Sequence, residues 1–431
     1  MNGNLLIKNG RVIDPSQRLD QTTDVLILNG KVEKIQPGQS APREDVEVLD
    51  AKGLIVTPGW VDMHTHLREP GGSHKETIKT GTEAAAVGGF TTIACMANTN
   101  PVNDNSFITS FLNQRFQKES LINVHCIGAI TKGLQGEELA EFGLMREAGA
   151  VGVSDDGMTV MNAYLMRKAL DYSKRFELPV IVHAEDCNLK GKGVMNEGFN
   201  SARFGLRGIP RASEELIVAR DILLAELTGA RLHIAHVSTR GSVALIRDAK
   251  KRGLARISAE VTPHHLTLTD EVVGSYDTNT KVAPPLRELQ DVEAVQEGLA
   301  DGTLDALATD HAPHSVEEKQ VEYDMAAFGM VGLETAFPLY HRLVLTGKVR
   351  LERVIEAMTI RPAEILGVSR GTLKVGSVAD VTLFDPKEKY KIDKTTFKSK
   401  SQNTPFHGWE VTGRVKATIV AGNIVFRGEN P

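Results

Sequence analysis

Cysteine is scarce in this chain: Cys95, Cys126 and Cys187 are spread over 431 residues, without a C-x-x-C pair. An odd, scattered set excludes a disulfide framework and a thiolate zinc knuckle. Any metal would therefore have to be held by histidine and carboxylate. Aromatic residues reach only 5%, and no apolar run approaches the roughly 18 residues that a membrane span requires. Met1 to Asp14 lacks a signal-peptide core and an Arg-rich transit pattern, so a cytoplasmic protein is the expectation. Charge of one sign is lacking too: 50 Lys and Arg face 55 Asp and Glu, a formal net charge of −5. Neither nucleic acid nor an anionic membrane is expected as the main partner. What is present is an ordinary globular composition, 41% hydrophobic and 24% charged, with 13 histidines whose placement is informative.

Both ends of the chain are β-like. Residues 1–57 alternate short apolar runs with turns at Asn9-Gly10 and Asn29-Gly30, each of which reads as a hairpin. Gly371 to Leu373, Ala379 to Phe384 and Ala417 to Phe426 have the same texture. Neither end is long enough to cover itself, so residues 1–57 and 362–431 are expected to form one small composite β-sandwich, against the alternative of two separate hairpin appendages. Between them, over residues 58–361, eight candidate strands begin at Trp60, Thr91, Ile122, Ala150, Pro179, Arg231, Arg256 and Leu304. A spacing near 30 residues is what strand, loop, helix and return loop consume. Amphipathic stretches at Glu137 to Ala148, Tyr164 to Phe176, Glu214 to Leu227 and Ser242 to Arg252 fill the gaps. The expected fold class is α/β, a (β/α)8 TIM-like barrel; an open doubly wound sheet competes, but neither G-x-G-x-x-G nor a P-loop is found. The Gly- and Arg-rich stretch Asp186 to Ser213 and the stretch His311 to Gly332 are candidate lids or substrate walls.

The residues just past the strands carry the chemistry. They include His64-Thr65-His66, Asn98, Asp155-Asp156, His183, His236, His264-His265 and Asp310. In a barrel these ends meet at one mouth, and alternate residues of a strand face one side, so His64 and His66 can address one ion. Four His and two Asp suit zinc or a similar borderline ion. Six ligands fit two ions better than one, with Asp155 or Asp156 as the bridging anion. Asp310 could bind one ion and serve as general base, then acid.

These motifs resemble the amidohydrolase superfamily and, more narrowly, the dihydroorotase family of bacterial type. The resemblance rests on Pro58-Gly59-Trp60-Val61-Asp62-Met63-His64-Thr65-His66-Leu67-Arg68-Glu69-Pro70-Gly71, Met96-Ala97-Asn98-Thr99, Ser154-Asp155-Asp156-Gly157, His183-Ala184-Glu185, His236-Val237-Ser238-Thr239, Thr309-Asp310-His311-Ala312-Pro313-His314 and Phe328 to Thr335. It implies reversible cyclisation of N-carbamoyl-L-aspartate to L-dihydroorotate, in de novo pyrimidine synthesis, on two Zn2+ ions. His64, His66, Asp156, His183, His236 and Asp310 would be ligands, with Asp156 as bridge and Asp310 as catalytic base. Cyclic-amidase relatives of the dihydropyrimidinase and allantoinase type bridge with a lysine of strand four, and this strand offers none. Arg68, Asn98 and His314 would hold the substrate carboxylate, joined by His66, Leu67 and Ala283, with Phe328-Gly329 closing over the ring and giving a backbone donor. Ala283 stands where many relatives have Asn. A homo-oligomer, such as a dimer, and association with aspartate carbamoyltransferase are implied partners. Another cyclic amidase and a non-catalytic scaffold for that transferase are the alternatives.

Overall fold

The computed structural model describes residues 3–428. Eight parallel strands form one sheet in chain order: β1 Trp60–Thr65, β2 Phe90–Cys95, β3 Asn123–Gly128, β4 Ala150–Ser154, β5 Val180–Val182, β6 Leu232–Ile234, β7 Ile257–Val261 and β8 Ala306–Leu307. All eight overlap the strands expected from the sequence. Their near-continuous apolar runs are what strands buried on both faces require. The ring closes without a ladder between β8 and β1. Thr65 bridges to His311, His66 N donates to His311 O at 2.9 Å, and Thr309 N donates to the buried Asp62 carboxylate at 3.2 Å. Inside, Val61, Met63, Ala94, Ile127, Ile181 and Ala306 fill the barrel, so it is a packed core rather than a pore.

Helices alternate with the strands and cover the outside. Ala163–Ser173, Ala212–Thr228 and Arg240–Lys251 follow the apolar periodicity closely. The stretch expected as a helix from Glu137 is helical only over Phe142–Glu147. Its first residues are held extended instead: Lys132 N donates to Glu138 O at 2.8 Å and Ala140 N to Ile130 O at 2.9 Å. The loop after β5 is also structured, with helix Phe199–Phe204 and a strand pair, Met195–Asn196 with Gly208–Ile209.

Strands from both ends of the chain share a second eight-stranded sheet. Its path runs Asn423–Arg427, Glu410–Val420, Val381–Lys391, Ile55–Pro58, Leu5–Asp14, Leu19–Leu28, Lys31–Ile35, with Glu47–Asp50 beside Leu5–Asp14. Ile7, Val25, Val56, Leu383, Ala417 and Ile419, from both ends of the chain, bury themselves in one shared core. Asn29-Gly30 is a tight hairpin with φ of 52° and 74°, a conformation that suits Asn-Gly. Asn9-Gly10 is not. It is a bulge within one continuous strand, and a Cβ on Gly10 would lie 2.5 Å from Val56 Cγ2. Gly371 to Leu373 is loop rather than strand. Helix Ile360–Leu366 spans the boundary expected at residue 362, and its Ala363, Ile365 and Leu366 pack into the barrel interior. Among the described residues, no helix is long and apolar enough to cross a membrane.

Candidate metal centre and substrate pocket

At the C-terminal mouth of the barrel, the six sequence-predicted ligands converge from β1, β4, β5, β6 and β8. Asp156 lies at their centre. Its Oδ1 is 3.2 Å from His64 Nε2, 3.6 Å from His236 Nε2 and 3.8 Å from His183 Nδ1, and its Oδ2 is 3.4 Å from His66 Nε2. Two ligand triads result, His64–His66–Asp156 and Asp156–His183–His236, and they share that carboxylate. Asp310 Oδ1 stands 3.1 Å from His66 Nε2 and 3.5 Å from His64 Nε2. Asp155 is not part of the cluster. Its Oδ1 accepts from Ile130 N and Thr131 N at 2.8 and 3.0 Å, tying strand four to the loop after β3.

The residues fit a divalent metal on two observations. His64 Nε2 and Asp156 Oδ1 are buried polar atoms without a hydrogen-bond partner among the described residues, an arrangement that is costly unless a cation completes it. In the β1 pair the other ring nitrogens are engaged so that the correct lone pairs face inward: His64 Nδ1 donates to Glu260 Oε1 at 2.7 Å and His66 Nδ1 to Asn98 Oδ1 at 2.9 Å. Such outer partners fix the tautomer of ligating histidines. Electrostatics points the same way. Burial alone would lower the pKa of His64, but Asp156, Glu260 and Asp310 hold it well above the ordinary value. Burial alone would raise that of Glu260, yet His64 and His233 hold it down at about 2. The carboxylates favour positive charge at this point.

Glu260, in β7, was not singled out in the sequence, because a buried carboxylate inside an apolar strand carries no spacing signal. Its second oxygen accepts from His233 Nε2 at 3.2 Å, giving a role to a histidine that the sequence left without one. Glu185 was likewise unassigned; its Oε2 lies 3.4 Å from His183 Nε2 and accepts from Lys190 Nζ at 2.5 Å. His264 is buried past the end of β7, with both ring nitrogens unpartnered among the described residues.

A cavity of about 190 Å3 opens beside this cluster, and Arg68, Asn98, Ala283, His314, Phe328 and Gly329 line it together with Lys190. Arg68 has φ 60°, and its Nε donates to Pro313 O at 3.1 Å while Nη2 lies 3.4 Å from His314 Nε2. His236 and Asp310 also have positive φ, at 35° and 48°, a strain typical of functional positions. Two expectations change. The Leu67 side chain points away from the cavity into the core, where a Cβ on Gly81 would lie 2.5 Å from its Cδ2. The Gly329 N–H already donates to Lys281 O at 2.8 Å, so it is not a free donor. Gly329 itself has φ 132°, and a Cβ there would meet Ala312 Cβ at 2.7 Å, which explains the glycine.

Comparison with known proteins decides the family. The curated dihydroorotases of Geotalea daltonii and Pelotomaculum thermopropionicum are 53% and 56% identical to this chain over 424 residues. Each alignment covers 98% of the chain, and 99% and 98% of the respective relative. The chain belongs to the dihydroorotase family. Residues 53–242 match the Dihydro-orotase-like family model, and residues 225–426 match that of the Amidohydrolase family. Among solved structures, the L-hydantoinase (dihydropyrimidinase) of Arthrobacter aurescens superposes with a TM-score of 0.89 at 28% identity, covering 99% of this chain and 96% of that one. Dihydropyrimidinase from Brevibacillus agri gives 0.83 at 25%, covering 98% and 95%. Membership in the dihydroorotase family makes the chain an enzyme, a hydrolase of the cyclic-amide class, built on the barrel fold that these neighbours share.

Proposed function

We propose that this enzyme interconverts N-carbamoyl-L-aspartate and L-dihydroorotate, in pyrimidine biosynthesis, with two zinc ions held by His64, His66, Asp156, His183, His236 and Asp310. The single observation that carries the substrate choice is the cluster of Arg68, Asn98 and His314 around one cavity beside the ligand triads. A cationic fork at that place calls for a carboxylate outside the reacting ring. The uncharged rings of other cyclic amides would bring Arg68 no anionic partner. When bound, the metals would polarise the ring amide carbonyl and make water nucleophilic near neutral pH.

The chain's own groups divide the remaining work. Arg68, Asn98 and His314 hold the carboxylate and thereby orient the ring amide toward Asp310. In the hydrolytic direction Asp310 takes a proton from the attacking water; its Oδ1 faces Nε2 of His64 and His66, where an ion would be held, which leaves Oδ2 for the proton. The same carboxyl then gives the proton to the departing ring nitrogen. Closure runs these steps in reverse. Asn98 has a second task, since its oxygen accepts from His66 Nδ1 and its NH2 faces Asp156.

The overall balance follows from charge. Carbamoyl aspartate has two carboxylates and dihydroorotate one, so ring closure consumes a proton and releases water. The equilibrium ratio should therefore move tenfold toward the ring for each unit the pH falls. The test is metal analysis of the purified enzyme, combined with a dihydroorotate ring-opening assay before and after zinc reconstitution. Turnover that depends on two equivalents of metal supports the reading. Hydrolysis of uncharged dihydropyrimidines in preference to dihydroorotate would overturn it.

A further inference from the structure

One segment contributed by the terminal sheet reaches the mouth of the barrel. Between strands Val381–Lys391 and Glu410–Val420 the chain leaves the sheet, and Ser399, Ser401, Asn403 and Thr404 are buried; Ser399 and Ser401 bond Glu76 and Lys75 in the loop after β1, and Asn403 meets the loop that follows β8. Asn403 makes four hydrogen bonds to that loop. Its Nδ2 donates to Ala312 O and to Gly329 O, both at 3.1 Å, its Oδ1 accepts from His314 N at 3.2 Å, and its backbone O accepts from Val331 N at 3.0 Å. Ala312, His314 and Gly329 are all walls of the substrate cavity.

We propose that Asn403 is a positioning residue for substrate recognition: its amide clamps the two limbs of the 311–332 loop together and so sets His314, and through Pro313 also Arg68, at the distance a carboxylate needs. This rests on the function proposed above. The chemistry is specific to a primary amide at this length. Two donors meet two carbonyl oxygens, one on each limb, and one acceptor meets a backbone N–H, adding to the limbs' own bonds from Ala312 N to Met330 O and from His314 Nε2 to Phe328 O, both at 2.9 Å. Aspartate would set an oxygen against both carbonyls; alanine would leave three buried groups unpaired. Arg68 is tied to the same loop by its bond to Pro313 O, so a shift of the loop moves two of the three carboxylate-holding groups together. The metal-ligating histidines sit on β1, β5 and β6 or just past them and make no contact with Asn403. The clamp should therefore govern substrate binding and leave metal binding alone.

The test uses the full-length zinc enzyme with Asn403→Ala and Asn403→Ser, and Ser401→Ala as control. The Ser401 hydroxyl donates to Lys75 O at 2.7 Å, away from the loop. Asn403→Ala should raise KM for dihydroorotate at least tenfold, with kcat within threefold of the parent and metal content unchanged; Ser401→Ala should leave all three unchanged. Combined with His314→Ala, the second substitution should add much less than it does alone, because both act at one place. Peptides covering 311–332 should exchange amide hydrogens at least tenfold faster in Asn403→Ala, and those of the barrel strands should not. Additive effects, a KM within twofold of the parent, or unchanged loop exchange would overturn the clamp. If Asn403→Ala does not fold, Asn403→Ser is read by the same criteria. Failure of the parent enzyme to open dihydroorotate would refute the functional reading instead, and the exchange measurement would still decide whether Asn403 holds the loop.

Discussion

Replacing Glu260 by Gln tests the centre through a residue that does not itself belong to either ligand triad. Glu260 is fully buried and accepts from two histidines at once, His64 Nδ1 at 2.7 Å and His233 Nε2 at 3.2 Å. Glutamine is nearly isosteric but offers one acceptor and one donor, so one histidine must lose its acceptor. If His64 keeps the amide oxygen, it exchanges a charge-assisted bond for a neutral one, while His233 retains its contact with Ser258 Oγ at 2.9 Å. If His64 loses it, the ring is free to protonate at Nε2, the atom that faces Asp156, and can no longer ligate. Loss of such an outer partner costs about 10- to 100-fold in metal affinity, or about 1.4 to 2.8 kcal/mol; the two arrangements correspond to the two ends of that range. The assay is zinc competition against a chromophoric chelator, with metal content measured at each point. Affinity within twofold of the parent would refute the idea that Glu260 fixes the His64 tautomer, whatever happened to turnover.

Asp310→Asn should lose at least a thousandfold in turnover yet retain most of its metal, since the two triads built on Asp156 stay whole; near-parental rates would remove it as the base. Arg68→Gln should raise KM for dihydroorotate by about 10- to 100-fold, the loss of a charge-assisted bidentate contact at roughly 1.5 to 3 kcal/mol, and an unchanged KM would show that the carboxylate lies elsewhere. Glu334 gives a pH signature: burial, opposed by bonds from Ser399 N and Lys398 N, pushes its pKa up to about 7. A carboxyl raised in the folded state stabilises fully below its unfolded pKa near 4.5 and loses that contribution as pH rises through 7. The stability of the parent relative to Glu334→Gln should therefore fall between pH 5 and 8, by about 3 kcal/mol at most, and parallel denaturation curves across that range would count against it.

The sequence was most legible where periodicity and chemistry coincide. Strand spacing located the barrel, and polar residues after apolar runs located its mouth, because a parallel sheet forces both. Partners joined only by tertiary structure were not visible. Glu260 sits inside a strand and Asn403 in a segment 74 to 91 residues beyond the cavity walls it touches, so no local pattern marks them. Leu67 shows the opposite failure: its neighbours His66 and Arg68 face the cavity, but its own side chain turns into the core. The Asn9-Gly10 pair misled because bulges and hairpins share the same need for a positive φ.

The strand Ile55–Pro58 leads directly into β1, and its antiparallel partner, Val381–Lys391, is synthesised more than 320 residues later. At about 5 to 20 residues per second, the ribosome needs roughly 16 to 65 s to supply that partner. Throughout that interval the strand that leads into β1, and so toward His64 and His66, has one open edge. The terminal sheet is therefore completed late during synthesis, and until then its open edge is a natural client for whatever shields unpaired strand edges in the cell.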